Sequence, residues 1–203
     1  YHIFVDGQFA FSVHEDILIK HRLVKGRKIE ESRLRQIVQD EQQHKAYVKA
    51  LRWLGIRMRT KKEIHAYLKR NQFEDSVIDQ CLRRLEAERY LDDANYSASL
   101  AEERLRLQGK GKRWIRQELT AKGVAPDLIR KALDSIADPD EQAAAAALAR
   151  KRWNLIGKGE DRLNAKRKLY AYLIRRGFSA DAVRSAIREV TGTADNGAID
   201  EWD

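Results

Sequence analysis

Five apolar positions recur three times along the chain with the same internal spacing. Ile64, Leu68, Phe73, Ile78 and Leu82 are matched 51 positions on by Ile115, Leu119, Val124, Ile129 and Leu133. A further 54 positions give Leu169, Leu173, Phe178, Val183 and Ile187. Spacings of four within each set are helical, and a repeat of this length predicts one supersecondary unit used several times. Each copy reads as three helices. In the first, Tyr47, Val48, Leu51 and Leu54 mark helix one, and Gly55 ends it. Thr60 with Glu63 makes a capping box for helix two. Asn71 is expected to take the left-handed stop that Gly123 and Gly177 take in the other copies. In the second copy, Asp92 or Asp93 opens helix one, Gly109 and Gly111 break before helix two, and Pro126 starts helix three. In the third, Asp138-Pro139 with Glu141 reads as a further capping box, Ala143 to Ala147 as helix former, Gly157 and Gly159 as breakers, and Ser179 as a cap.

Residues 2–14 follow a different period. Ile3 and Val5, then Phe9, Phe11 and Val13, alternate with more polar positions around Asp6-Gly7, which predicts a β-hairpin. A lone hairpin is marginal in water, so it is expected to pack on a following helix through Ile17, Leu18, Leu23 and Val24. The expected organisation is a hairpin and helix at 1–43, three-helix repeats at 44–93, 94–140 and 141–192, and an acidic, disordered tail at 193–203. The fold class is mainly α: tandem three-helix repeats forming an elongated array, with a small N-terminal β-hairpin. Such arrays present long surfaces to long partners.

Charge sharpens this. The formal net charge is +9 in 203 residues, which suits a polyanion or an acidic protein surface. The 44–93 segment carries +4, 94–140 carries +2, 141–192 carries +7 and the tail −4. The basic residues interleave with aromatics near the starts of the second helices. Arg57, Arg59, Lys61 and Lys62 hold that place in the first copy, and Lys112, Arg113 and Arg116 flank Trp114 in the second. Lys166, Arg167 and Lys168 follow Trp153 in the third. A solvated helix surface with core tryptophans is the plain alternative for any one residue, but a stripe sustained through three copies is expected to meet phosphates or acidic side chains. The tail acids Asp200, Glu201 and Asp203 could compete for it.

Catalytic and cofactor chemistry is not expected. Gly109-Lys110-Gly111 and Gly157-Lys158-Gly159 lack the preceding strand and the Lys-Ser/Thr ending of a phosphate loop. His2, His14, His21, His44 and His65 show no metal-ligand spacing, and Cys81 lies on an apolar face as a small core residue. A single cysteine fits a reducing compartment, and no apolar run approaches a membrane span. A cytoplasmic monomer without cofactor or membrane contact is expected.

Ile3-Phe4-Val5-Asp6-Gly7, Phe11-Ser12-Val13-His14-Glu15-Asp16 and Tyr90-Leu91-Asp92-Asp93-Ala94 resemble the bacterial RecX regulators. So do Gly109 to Ile115, Glu118-Leu119 and Lys122-Gly123-Val124. The proline that often precedes Arg-Ile in that family is replaced here by Lys112 before Arg113-Trp114-Ile115. The resemblance runs from the hairpin to about Val190. It implies a protein without enzymatic activity that binds RecA, lies in the groove of the RecA–DNA filament, suppresses ATP hydrolysis and strand exchange, and favours disassembly. The alternative expectation is a direct DNA-binding module, because three-helix units resemble helix-turn-helix readers. The helix-three basics Arg83, Arg84, Arg130, Lys131, Arg184 and Arg188 lack an accompanying set of Asn or Gln base readers.

Overall fold

The computed structural model describes residues 1–156 and 161–192. The second glycine-lysine-glycine segment and the acidic tail lie outside the described residues. The chain divides into two units, Tyr1–Asp92 and Asp93–Asp203.

The first unit opens with strands β1 (His2–Val5) and β2 (Gln8–Ser12), paired antiparallel. Asp6 and Gly7 both take positive φ, 50° and 83°, as a tight hairpin turn requires. The register shifts between Ile3 and Phe4, so that Ile3 pairs with Phe11 but Phe4 pairs with Phe9. This bulge at Ala10 breaks the simple alternation and puts Phe9 on the face opposite Phe11. Phe4 and Phe9 are accordingly exposed. Ile3 and Phe11 instead pack with Leu18, Leu23 and Ile29 around buried Val13, Ile17 and Ile37. Ile17 and Leu18 lie on α1 (Glu15–His21), and Ile37 on α2 (Glu31–Leu54). Val24 does not join this cluster and is exposed, because the chain turns at Arg22 before reaching it.

Helix α2 runs unbroken for 24 residues, through the 43/44 position where a boundary was expected. Its second half packs with α3 (Lys61–Arg70) and α4 (Asp75–Ala87) around Ala46, Ala50, Ile64, Leu68, Ile78 and Leu85. The Thr60–Glu63 capping box forms as expected. The stop after α3 does not fall where expected. Asn71 keeps negative φ, and Gln72 takes the left-handed conformation at φ 65°. Gln72 is the register partner of Gly123 and Gly177, and the motif needs its left-handed residue there: Phe73 N–H reaches back to Leu68 O, as Val124 does to Leu119 and Phe178 to Leu173.

The second unit comprises α5 (Asp93–Arg106), α6 (Lys112–Ala121), α7 (Pro126–Asp134), α8 (Asp138–Ile156), α9 (Arg162–Arg175) and α10 (Ala180–Thr191). The second and third helical triplets share one core. Leu100, Ile115, Leu119 and Leu133 of one triplet cluster with Ala145, Leu169, Leu173, Phe178 and Ile187 of the other. Ala145, Ala149, Ala182 and Ala186 are all buried in it, and small side chains allow close approach of α8 and α10. No described helix is long and apolar enough to cross a membrane.

Candidate basic interface

The start of α6 and the end of α9 interlock. Gly111 is the N-cap of α6, and its N–H donates to Arg176 O at 2.9 Å, while Arg113 N–H donates to Gly177 O at 3.0 Å. A Cβ on Gly111 would fall 2.3 Å from Gly177 O, and one on Gly177 would fall 2.4 Å from Trp114 N. Gly177 also holds a φ of 86°, so glycine is required there twice over. The expected capping box at the start of α8 does not operate. Buried Glu141 turns its carboxylate across the seam, accepting from Lys112 N–H at 2.9 Å and from Ser179 Oγ at 3.0 Å. It thereby closes the α6 start, where four N–H groups lack partners within the helix. Ser179 in turn caps α10.

This seam gathers cations. Lys110 Nζ sits 4.0 Å from the centre of the Trp114 ring. Arg176 donates to Gln108 O at 3.1 Å, and its guanidinium lies 5.2 Å from the Tyr172 ring. Arg152 approaches the same ring at 5.2 Å. Burial first, then the positive charges of Arg176 and Arg104, push the Lys110 pKa down, with Glu118 opposing. Arg104 makes a two-pronged pair with Glu118, 2.8 Å at each prong, the strong fork geometry of arginine with carboxylate. The first unit builds its own stack. Arg59 lies 4.1 Å over Trp53, which stacks on Tyr67 at 4.2 Å. Interleaving basic and aromatic residues along the sequence thus becomes cation–π contact in each unit, with the indoles half-buried under the cations rather than lost in the core.

The expected site residues divide between the units. Arg57, Arg59, Lys61 and Lys62 belong to the first. Arg57 and Lys62 are exposed, Arg59 is half-buried on Trp53, and Lys61 pairs with Glu86 at 2.8 Å. In the second unit Arg113 and Arg116 are exposed on α6, while Lys112 pairs with Asp138 at 2.8 Å. Arg167 and Lys168 are exposed on α9. They precede its last residue by eight and seven positions, roughly 10–12 Å along the axis, and so stand apart from the cations at the seam. Lys166 is a correction. It is only 1% exposed, because it falls on the inward stripe of α9 with Ala165, Leu169 and Leu173. Arg104, Arg176 and Glu141 were not among the expected site residues. Arg176 could have been flagged by its place before Gly177, but Arg104 and Glu141 act across helices and leave no local signal.

Cys81 is buried, and burial raises its thiol to about 11, far from the thiolate range a nucleophile needs.

The comparisons with known proteins agree along the chain. The RecX N-terminal domain matches residues 1–30, and the first, second and third RecX three-helix domains match 46–85, 92–133 and 139–187. Regulatory protein RecX of Bacillus licheniformis is 35% identical over 199 residues, covering 97% of this chain and 74% of that protein. Its Bacillus subtilis namesake is 31% identical, covering 94% and 72%. A crystal structure of regulatory protein RecX superposes with a TM-score of 0.75 at 31% identity, over 93% of this chain and 90% of that one. The structure of RecX from Lactobacillus salivarius gives 0.70 at 25% identity, over 74% and 97%. With four family domains in order and a relative 35% identical over 97% of this chain, the chain belongs to the RecX family of regulatory proteins.

Proposed function

We propose that the chain is a non-catalytic regulator that binds the groove of the RecA–DNA filament and inhibits recombinase ATP hydrolysis and strand exchange. The observation that carries this reading is the in-order match to all four domains of a regulatory family. The geometry supports it with exposed cations on both units: Arg57 and Lys62 on one, Arg113, Arg116, Arg167 and Lys168 on the other. Such cations engage phosphates or acidic side chains through salt-sensitive contacts that need no sequence-specific base readers.

The test is a titration of the full chain against a preformed RecA filament, following ATP hydrolysis. Wild type should inhibit, more weakly as salt rises. Arg113→Glu with Arg116→Glu should raise the concentration needed, and each lost phosphate contact should flatten the salt dependence by a log–log slope of about 1. Inhibition indifferent to these reversals and to salt would remove the basic surface from the account. Sequence-selective binding to naked duplex would replace the proposal with direct DNA reading through the exposed helix-three cations Arg130 and Lys131.

A further inference from the structure

The fold brings together two histidines that the sequence keeps 30 positions apart. His14 caps α1 and His44 projects from α2, and their rings meet at 4.4 Å between centroids, tilted by 33°. Asp16 stands beside both. Its Oδ2 is 3.5 Å from His14 Nδ1 and 3.7 Å from His44 Nε2. One ligand atom from each of the three side chains lies within 4.8 Å of the other two. His44 Nε2 is buried and makes no hydrogen bond. A buried imidazole nitrogen without a partner is costly, and here it points toward a carboxylate too distant to bond directly. Beside the two histidines opens a cleft of about 500 Å³ that His14 and His44 line together with Val13, Glu41 and Lys45.

From this geometry we infer that His14, Asp16 and His44 form a binding site for a borderline divalent cation such as Zn²⁺. Ligands about 2.1 Å from a tetrahedral zinc stand about 3.4 Å apart, close to both observed nitrogen–oxygen separations. Imidazole and carboxylate are the donors this ion prefers, and three protein ligands leave a fourth position for water. Binding would displace the 3.3 Å contact from Asp16 N–H to His14 Nδ1. Glu41 would be retained as support, because it accepts from His14 N–H at 2.8 Å and pairs with Lys45. The ion would staple the β2–α1 junction to α2, where the hydrophobic cluster has only three buried residues. A core that small gains most from a metal clasp.

The experiment is calorimetric titration of the full chain with ZnCl₂, with thermal unfolding in ZnCl₂ and in EDTA. Wild type and the remote control His65→Gln should each bind one equivalent and melt higher with zinc. His14→Gln and His44→Gln should weaken binding at least roughly tenfold, the lower bound for losing even an outer support of a metal site, and should lose the zinc-dependent rise. Asp16→Asn, at an exposed position, serves the same purpose should His44→Gln fail to fold by circular dichroism. No saturable uptake by wild type, or unchanged uptake in His14→Gln and Asp16→Asn, overturns the site.

Discussion

The first helical triplet and the fused second and third triplets share one pattern but use its key positions differently. Where the second copy has Gly111 the first has Thr60, and where the later copies have Gly123 and Gly177 the first has Gln72. Thr60 caps its own helix through Glu63, a local solution. Gly111 cannot cap with a side chain, and Glu141 from the next triplet performs that task. The first triplet closes on itself around ten buried residues. The other two exchange backbone hydrogen bonds and bury a common core. Gly111 is thus a requirement of docking, and Gly177 one of docking as much as of turning, whereas the first triplet tolerates side chains there because it is capped from within.

The largest expected effect comes from filling that seam. Gly177→Ala places a Cβ against Trp114 and forces an alanine to positive φ, which together should cost on the order of 3 kcal/mol or more in urea denaturation. A stability near wild type would mean that the seam is not the contact described. Next is Glu141→Ala, which removes a buried carboxylate and leaves the part-buried Lys112 N–H and Ser179 hydroxyl without their acceptor. The expected cost is about 2–3 kcal/mol, whereas Glu63→Ala in the first triplet removes only a local cap and should cost about 1 kcal/mol.

Acid should separate the two regions in a different way. Buried Asp40 in the first unit is opposed by its own desolvation, yet bonds from Lys20, His21 and Gln36 outweigh this and hold its carboxyl below the usual range. A group with a depressed folded pKa contributes stability above its unfolded value, near 3.9, and loses it as pH falls through the folded value. Thermal stability of wild type should therefore drop below about pH 4, and Asp40→Asn should be less stable at neutral pH but flatter across that window. An identical acid profile for the two would exclude Asp40. The smallest effect is a gain. Gln72→Gly relieves a left-handed residue that costs roughly 1–2 kcal/mol, less the extra freedom glycine adds to the unfolded chain, for a net stabilisation of about 0.5–1 kcal/mol. No change in the denaturation midpoint would show that Gln72 carries no strain.

Much of the architecture was legible because its causes are local. Periodicity marked the helices, Asp6-Gly7 marked the hairpin, and Thr60, Pro126 and Ser179 marked helix starts, since a cap or a turn is decided by a residue and its neighbours within four positions. Apart from the one-residue slip from Asn71 to Gln72, the misread positions depended on something farther away. Lys166 looked like its exposed neighbours until the rotation of α9 turned it inward beside Leu169. Glu141 looked like the partner of its own helix start until a second helix arrived beside it. His14 and His44 had no spacing to announce them, because only the packing of α1 on α2 makes them neighbours. By itself the sequence determined which segments are helical, where most of them start, and how much positive charge the chain carries, because these follow from short-range sterics and composition. Only the tertiary structure decided which of those charges reach the surface, which glycines join two triplets, and which distant side chains meet, because each depends on the rotation and approach of whole helices under close packing.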